Sequence, residues 1–498
     1  MELIPVIGLE IHAELKTNSK MFCACQNAPF SLEKNTATCP VCLAHPGTLP
    51  RLNSAALDLG IMAGLALNCS INQKTKFDRK NYFYPDLPKG YQISQYDLPV
   101  AFDGYVELAE AKIGVERAHL EEDTAKLIHL SSGDTEIDYN RAGVPLLEIV
   151  SKPNISNASQ AKEYAKAIQR TLRYIGASDA DMEKGAFRCE ANVSIQEKGK
   201  FEIVDNKVEG DNLNNKVEVK NINSFRSLER AIDFEIKRQT ELVLKGQTVL
   251  PETRGVDDKT GETFSQRIKE TAADYRYFSE PDLPALFISD EMIAEIKNHL
   301  PELPTNKLKR FKEEYSLPDN LALQIIEKPT TAAWFEKAVS ELGAWVESLG
   351  DDLDRQDKSL ANTLAKYLTG EVFKLLNEHK IELLDSKISP NSLAGLVVLS
   401  HKGQINSSGA QSVLTEMFKT GKGAQELINE MGLEIISEES LISELAEKVI
   451  SENYSQAADY RKGKTNLIQF FIGKLMAASG GRANPVIAKE ELEKILNT

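Results

Sequence analysis

The residues best suited to chemistry lie near the start of the sequence, where polar and apolar side chains alternate. Glu10, His12 and Glu14 occupy every second position of the segment 7–15, and the positions between them are apolar. This alternation predicts a half-buried β-strand that presents two carboxylates and an imidazole in a row on one face. A purely structural strand can carry the same row on a solvated face, so this pattern alone leaves both interpretations open.

Later strand-like segments add further acids and favour the functional interpretation. The three consecutive acids of 121–123 follow a histidine, and Glu190 shares the polar face of an alternating strand with Arg188. Glu148 is a single carboxylate inside an apolar strand. A buried carboxylate costs several kcal/mol unless a cation or hydrogen-bond donors compensate it. Glu148 is therefore the most informative acid in the chain.

An antiparallel sheet can bring these acids together with the first histidine as one patch. The members of this predicted patch are Glu10, His12, Glu122, Glu148 and Glu190. Carboxylate oxygens are the ligands that hard divalent cations prefer, and Mg²⁺ usually bridges from them to nucleotide phosphate. The cations that can neutralise the oxygens of a transferred phosphate are Lys80, Lys89, Arg188, Lys220 and Arg276. The sequence contains neither Gly-rich phosphate-binding motif and no nucleophile elbow, so it predicts an ATP site built from carboxylates and metal.

Four cysteines have the spacing of a metal site. Cys23 and Cys25 are followed, after thirteen residues, by Cys39 and Cys42. Two such pairs can close a tetrahedral Zn²⁺ site, in which four thiolates leave no open position for catalysis. The first pair is closer than usual, so four unrelated reduced thiols are the alternative. We predict a structural zinc ion in this insert.

The composition limits the class of protein. The chain has 498 residues and a net charge of −15, which indicates several domains and excludes nucleic-acid binding through the overall field. No apolar run approaches the ~20 residues needed to span a bilayer, and the N-terminus has no basic segment typical of a signal peptide. Six cysteines do not make a disulfide scaffold, so we expect a reducing cytoplasmic location.

The character of the chain changes along its length. Helical periodicity marks the segments 51–67, 157–175 and 228–244, and it replaces strand alternation after the Pro301/Pro304 pair. Near the end, 461–482 contains five cations and no acid. In so acidic a chain this patch indicates contact with phosphate groups, although a solvated helix face is the alternative. Its cations are Arg461, Lys462, Lys464, Lys474 and Arg482.

At these residues the chain resembles the family of bacterial aspartyl/glutamyl-tRNA amidotransferase B subunits. The resemblance extends over essentially the whole chain, and agreement at so many separate motifs is not expected by chance. The motifs that carry it lie at 6–12, 80–95, 119–123, 145–152, 188–192, 220–226, 275–284 and 459–485. Val256 and Ser279 depart from the family pattern, which has tryptophan and proline there. A longer loop after the acids at 121–122 leaves open which of the two is a ligand.

The resemblance implies an α+β catalytic cradle domain of glutamine synthetase-like fold, with an antiparallel sheet flanked by helices. An all-helical domain and a small helical tail domain follow. We place the cradle at 1–292 with the cysteine insert at about 18–50, the helical domain at 293–403, and the tRNA-binding tail at 404–498. The implied Mg²⁺ ligands are Glu10, His12, Glu122 and Glu148. Lys80 and Glu190 join them in the predicted catalytic set, and zinc is bound in some members of the family.

The implied reaction is that of a carbon–nitrogen ligase. ATP phosphorylates the side-chain carboxylate of misacylated Glu-tRNA(Gln) or Asp-tRNA(Asn), and ammonia then displaces the phosphate. The ammonia comes from a glutaminase, the A subunit, and a small C subunit completes the heterotrimer. A tRNA-binding adaptor without chemistry is the alternative, but carboxylates repel RNA phosphate unless a metal intervenes. The sequence does not determine which misacylated tRNA is used, because that depends on the synthetases of the cell.

Overall fold

The computed structural model describes residues 2–30, 32–204, 206–268, 275–348, 358–436 and 438–497. It divides into two compact units, Met1–Thr305 and Asn306–Thr498. The strands of the described residues lie in the first unit, and the second is helical. The α+β class and the helical C-terminal part are therefore confirmed. None of the described helices combines the length and apolarity that crossing a bilayer requires.

The first unit contains eighteen strands and four helices in its described residues. The strands are β1 Leu3–Glu14, β2 Ser70–Ile71, β3 Lys74–Thr75, β4 Asp78–Asn81, β5 Tyr91–Ser94, β6 Ala101–Glu107, β7 Lys112–Glu122, β8 Lys126–His129, β9 Thr135–Asp138, β10 Pro145–Ser151, β11 Phe187–Glu197, β12 Phe201–Val204, β13 Lys207–Gly210, β14 Val217–Ile222, β15 Glu252–Val256, β16 Thr263–Ile268, β17 Phe278–Ser279 and β18 Leu286–Phe287. The helices are α1 Ser54–Ala66, α2 Ala158–Tyr174, α3 Phe225–Leu244 and α4 Asp290–Asn298.

A nine-stranded sheet forms the frame of this unit, in the order β16-β15-β14-β11-β1-β10-β7-β6-β2. β1 lies at its centre and pairs antiparallel with both neighbours. The pair β14 and β15 is parallel, so the sheet is mixed rather than purely antiparallel as predicted. The reason is that α3 connects these two strands as a crossover, and a crossover returns the chain in the same direction.

One face of the sheet is the apolar core, and the other carries the polar row. Leu9 and Ile11 of β1 are fully buried, and their cluster includes buried residues of α1, α2 and α3. Glu10 and His12 alternate with them and face the opposite side of the sheet. The alternation predicted for this strand is therefore confirmed, and a small sheet with the order β17-β4-β5 supplies further residues near the polar face.

The second unit is built from helices in its described residues. They are α5 Pro304–Tyr315 (which begins at the unit boundary), α6 Asp319–Ile325, α7 Pro329–Ser348, α8 Lys358–Tyr367, α9 Phe373–His379, α10 Pro390–His401, α11 Ser407–Thr420, α12 Ala424–Met431, α13 Glu439–Glu452, α14 Tyr454–Arg461, α15 Ile468–Ala478 and α16 Pro485–Leu496. A π-helix, Leu368–Val372, joins α8 to α9. Buried residues of α13, α15 and α16, among them Ile442, Phe471 and Leu492, form an apolar cluster of their own.

Candidate functional site

Three adjacent strands bring imidazoles and carboxylates into one row. His12 on β1 lies opposite Glu148 on β10, which in turn lies opposite His119 on β7. The Nε2 atom of each histidine is 3.2 Å from Oε2 of Glu148. Glu121 follows His119 by two residues on the same face of β7, and its Oε1 is 3.5 Å from Nε2 of His12. We call these four residues the histidine–carboxylate cluster.

Burial makes the charges of this cluster depend on one another. Glu148 is 7% and Glu121 2% exposed. Burial opposes the charge of Glu148, but the adjacent histidines hold the pKa of its carboxyl well below the usual range. Burial also opposes the charge of His12, but Glu148 raises the pKa of His12 to about 9. The partners that the lone acid Glu148 required are therefore two imidazoles, and each histidine favours the charged form of this carboxylate.

A second group of acids lies beside the first, on the same face of β1. Glu10 is opposite Glu190 on β11, and the carboxylates of Glu10, Glu190 and Glu218 have oxygens within 4.8 Å of one another. Lys220 Nζ lies 2.9 Å from Glu190 and 3.4 Å from Glu218. Burial, followed by the carboxylates around it, raises the pKa of Glu10. We call Glu10, Glu190 and Glu218 the acidic cluster, whose concentrated negative charge favours a bound cation.

Glu122 does not belong to either cluster. Its Oε1 is 2.6 Å from Nζ of Lys89 and accepts a hydrogen bond from the backbone N–H of Ile93 at 3.0 Å. Successive side chains of a strand point to opposite faces, so Glu121 and Glu122 cannot both face the histidines. The structure therefore places Glu121, and not the predicted Glu122, beside His12, and Lys89 is paired rather than open to a phosphate.

The remaining predicted cations of the first unit have different surroundings. Lys80 on β4 is near Glu121 and Glu148, and these carboxylates raise its pKa although burial opposes the charge. Arg188 Nη1 is 3.1 Å from Oδ2 of Asp123, so the carboxylate of Asp123 neutralises part of the charge of the guanidinium group. Arg276 is exposed, with its backbone at the edge of the small sheet. The positive charge of Lys80 is thus stabilised by two carboxylates of the histidine–carboxylate cluster.

The sequence interpretation assigned no site role to His119 and Glu218. The signal that would have identified them is the period of two, because His119 precedes Glu121 and Glu218 precedes Lys220 by two residues on a strand. His119 is 4% exposed, and its Nδ1 atom has no hydrogen-bond partner within the described residues.

Glu14, the third polar residue of the β1 row, is also buried. Burial and then Asp123 raise its pKa to about 8, which favours the uncharged form of this carboxyl.

The predicted cysteine insert forms a compact group of thiols. The sulfur atoms of Cys23, Cys25, Cys39 and Cys42 all lie within 4.8 Å of one another. The Sγ atoms of Cys39 and Cys42 are 3.8 Å apart. Two thiolates on a tetrahedral zinc ion, each at about 2.3 Å, have about this separation. The four residues therefore fit a closed zinc site.

A buried lysine supports the same interpretation of the insert. Lys20 is fully buried, and its Nζ lies 3.8 Å from Sγ of Cys42 and 3.2 Å from the carbonyl oxygen of Tyr139. The hydrogen bond from Cys23 lowers the pKa of Cys42 to about 4. A buried ammonium beside a thiolate offsets part of the negative charge that four cysteine ligands would place on one ion.

Two of the five tail cations stabilise helix ends. Arg461 donates to the carbonyl oxygen of Leu496 at 3.1 Å, where α16 ends. Arg482 donates to the carbonyl oxygens of Ser479 and Gly432, each at 3.1 Å, just after α15 and α12 end. The last carbonyls of a helix lack intrahelical partners, and these guanidinium groups supply them.

The three tail lysines are exposed. Lys464 is paired with Asp459 at 2.8 Å. Lys462 and Lys474 form no ion pair with a carboxylate of the described residues, and Lys474 lies 5.6 Å from the ring centroid of Phe470. The cations best placed to meet an external phosphate are therefore Lys462 and Lys474, rather than all five.

Comparisons with known proteins agree over the whole chain. The model of the GatB/GatE catalytic domain matches residues 5–294, and the model of a GatB domain matches residues 353–496. Three similar relatives are named as the B subunit of aspartyl/glutamyl-tRNA(Asn/Gln) amidotransferase. Those of Thermodesulfovibrio yellowstonii and Persephonella marina are each 44% identical over 500 residues, covering 100% of both chains. That of Thermotoga sp. strain RQ2 is 41% identical over 505 residues, covering 100% of this chain and 99% of the relative.

Proposed function

Since this chain belongs to the family of aspartyl/glutamyl-tRNA(Asn/Gln) amidotransferase B subunits, we propose that it contains the centre at which the aminoacyl-tRNA is activated. The protein is thus part of a ligase-type enzyme that acts on tRNA in translation. The observation that carries the proposal is the row His12–Glu148–His119 beside the acidic cluster, on one face of the central sheet.

The proposed reaction has two steps. A side-chain carboxylate oxygen of Glu-tRNA(Gln) or Asp-tRNA(Asn) bonds to the γ-phosphorus of ATP, and the bond from that phosphorus to the bridging oxygen of ADP breaks. The nitrogen of ammonia then bonds to the acyl carbon and loses a proton, and inorganic phosphate leaves. Both steps bring negatively charged groups together, so the site must supply positive charge where the phosphate oxygens lie.

The donor groups of both clusters fit Mg²⁺. The acidic cluster offers three carboxylates within 4.8 Å, and His12, Glu121 and Glu148 offer a second set of donors at the same spacing. Oxygen is the ligand that Mg²⁺ prefers, and a bound ion would neutralise the charge of the phosphate oxygens. The proposed ligands are thus Glu10, His12, Glu121 and Glu148, with Glu190 and Glu218 beside Glu10.

The chain's own cations supply further positive charge. The raised pKa of Lys80, for which Glu121 and Glu148 outweigh burial, keeps its ammonium group protonated at neutral pH. Lys220 is held in the same way by Glu190, which raises its pKa against the effect of burial. We propose that both lysines bind phosphate oxygens during transfer, because a fixed ammonium group lowers the barrier most where charge develops.

The fold and the partners extend this proposal. We infer a glutamine synthetase-like cradle at 1–292, a helical domain at 293–403 and a tail at 404–498; the separate apolar cluster of α13, α15 and α16 supports a distinct tail. The sequence has no nucleophile elbow for glutamine hydrolysis. We therefore propose that a separate glutaminase, the A subunit, supplies ammonia and that a small C subunit completes the complex.

The direct test is tRNA-dependent ATP cleavage by the assembled complex. With Mg²⁺, ATP and glutamine present, ADP should form only when Glu-tRNA(Gln) or Asp-tRNA(Asn) is added, and the amidated tRNA should accumulate with it. Assaying both tRNAs separately identifies the substrate. Normal tRNA binding without any ADP formation would favour the tRNA-binding adaptor instead.

Binding of Mg²⁺ should release protons from the complex. Burial opposes the charge of His12, but Glu148 and Glu121 together raise its pKa to about 9, so His12 holds a proton below that pH. A cation that takes Glu148 as a ligand displaces this proton, so Mg²⁺ affinity should rise as the pH approaches about 9. Titration calorimetry in buffers of different ionisation enthalpy measures the release, and His12→Asn should reduce it. Absence of proton release from the wild type would exclude His12 from the ligand set.

The tail should bind tRNA through Lys462 and Lys474. Lys462→Ala combined with Lys474→Ala should raise the KM for tRNA. The slope of log affinity against log salt concentration should fall by about 1 for each lysine, because a contact to phosphate that no longer forms no longer releases counterions from the tRNA. Glutamine hydrolysis by the glutaminase should not change. Arg461→Ala is the contrasting variant, because it uncaps α16 and should lower the unfolding temperature. An unchanged salt slope in the double variant would contradict this role of the tail.

A further inference from the structure

Four tyrosines form a continuous aromatic ladder at the ends of strands β4, β5 and β17. The rings of Tyr96 and Tyr277 are stacked, with centroids 4.3 Å apart and planes inclined by 10°. Tyr277 meets Tyr275 edge-on at 6.1 Å, and Tyr275 meets Tyr82 edge-on at 6.0 Å. None of the four tyrosines is part of the buried core, so packing of the apolar interior does not account for the ladder.

The ladder is attached to β7, the strand that carries His119 and Glu121. The hydroxyl of Ser94 donates to Oε2 of Glu121 at 3.2 Å. The side-chain amide of Gln92 donates to the backbone carbonyl oxygen of Glu122 at 2.7 Å. Lys80 Nζ lies 5.2 Å from the ring centroid of Tyr275. The small sheet therefore holds the aromatic ladder in a fixed position next to the histidine–carboxylate cluster.

One face of the ladder is open to solvent. Tyr96 is 59% exposed although its other face is covered by Tyr277. An exposed tyrosine face that is supported from behind is a platform on which a nucleobase stacks. Tyr96 follows Ser94 by two residues, which is about 7 Å along an extended chain. A substrate whose adenine ring stacks on Tyr96 can therefore place its reacting group at the histidine–carboxylate cluster.

The charges around the platform favour an uncharged base over a phosphate. Asp97, next to Tyr96, has its Oδ1 2.7 Å from Nζ of Lys76, and Asp78 lies 2.5 Å from the same ammonium group. These two carboxylates and one lysine leave a net negative charge next to Tyr96, whereas the cation Lys80 lies farther along the ladder, at Tyr275. A phosphate group would be repelled there, whereas the flat face of a neutral purine would not.

We propose that Tyr96, supported by Tyr277, stacks the adenine ring of a substrate whose reacting end lies at the histidine–carboxylate cluster. This inference rests on the proposed function, in which both substrates end in an adenosine: ATP, and the 3′-terminal nucleotide of the aminoacyl-tRNA. Tyr96 is a positioning residue, because its ring orients the substrate without contacting the reacting atoms. Its loss should therefore change binding and KM rather than kcat.

The experiment compares three variants of the assembled enzyme: Tyr96→Ala, Tyr96→Phe and Phe287→Ala. Phe287 is the matched control, since it is 77% exposed in the first unit but lies outside the ladder. The measurements are KM for ATP, KM for misacylated tRNA, and Kd for uncharged tRNA with and without its 3′-terminal adenosine. Unfolding temperatures verify that each variant is folded.

Tyr96→Ala should weaken binding of one adenosine substrate by about ten-fold, the size expected for a lost base–aromatic stack. Tyr96→Phe keeps the ring and should behave as wild type, as should Phe287→Ala. A higher KM for tRNA, with loss of the difference between intact and trimmed tRNA, assigns the platform to the 3′-terminal adenosine. A higher KM for ATP alone assigns it to the nucleotide.

Wild-type constants for both substrates in a folded Tyr96→Ala enzyme would overturn the inference. So would an equal loss in Tyr96→Phe, because the hydroxyl and not the ring would then be responsible, or an equal loss in Phe287→Ala. The proposed function fails by a different result in the same assay, namely that wild-type enzyme shows no tRNA-dependent ATP cleavage.

Discussion

Glu148→Gln should lower tRNA-dependent ATP cleavage and amide formation by on the order of 10³-fold or more. Glutamine keeps the shape of the side chain and removes the charge at the centre of the cluster, where Oε2 of Glu148 is 3.2 Å from both His12 and His119. The site then loses an anionic ligand for a cation. Attack of a carboxylate on the triphosphate is strongly repulsive without that neutralising charge.

Complex assembly and tRNA binding should stay near the wild-type level in this variant. Glu107→Gln is the matched control: it removes an exposed carboxylate from β6 in the same sheet and should keep the wild-type rate. Unfolding temperatures separate a loss of chemistry from a loss of fold, because removing one member of a buried ion pair is destabilising. If Glu148→Gln phosphorylates the aminoacyl-tRNA at the wild-type rate, the catalytic centre must lie elsewhere.

Cys39→Ser should release about one equivalent of zinc per chain and loosen the insert at 18–50. In its described residues, the chain between β1 and α1 forms no helix or strand. A metal bound to all four cysteines would therefore cross-link this segment in addition to the buried Met21 and Phe22, which attach it to the core. A serine hydroxyl is a much weaker ligand than a thiolate, so one substitution opens the closed site.

The effect of this substitution should extend to activity. A cavity of about 220 Å³ is lined by Cys23 and Cys42 and also by Glu122, the neighbour of Glu121 on β7, so loosening of the insert affects the strand that carries the histidine–carboxylate cluster. Elemental analysis and limited proteolysis measure metal content and loosening. Cys69→Ser is the control, because Cys69 is buried elsewhere and should leave the zinc content unchanged. Wild-type protein purified without zinc would exclude the metal site.

The sequence by itself determined the elements and the kinds of residue they carry. The helical segments predicted at 51–67, 157–175 and 228–244 are α1, α2 and α3, with ends that differ by only a few residues. The polar face of β1 was also predicted from the alternation of its residues. Apolar periodicity is a local property of the chain, and burial of one face requires it. The spacing of the cysteine pairs likewise predicted a group that the fold brings together.

Only the tertiary structure decided which of these residues meet. The choice of Glu121 over Glu122 depends on which face of β7 is turned to β10, and the pairing of Glu148 with His119 depends on strand register. Arg461 and Arg482 were predicted as phosphate ligands, but they bind the ends of helices that lie far away in sequence. Partners and register are set by contacts between distant segments, and no local pattern encodes them.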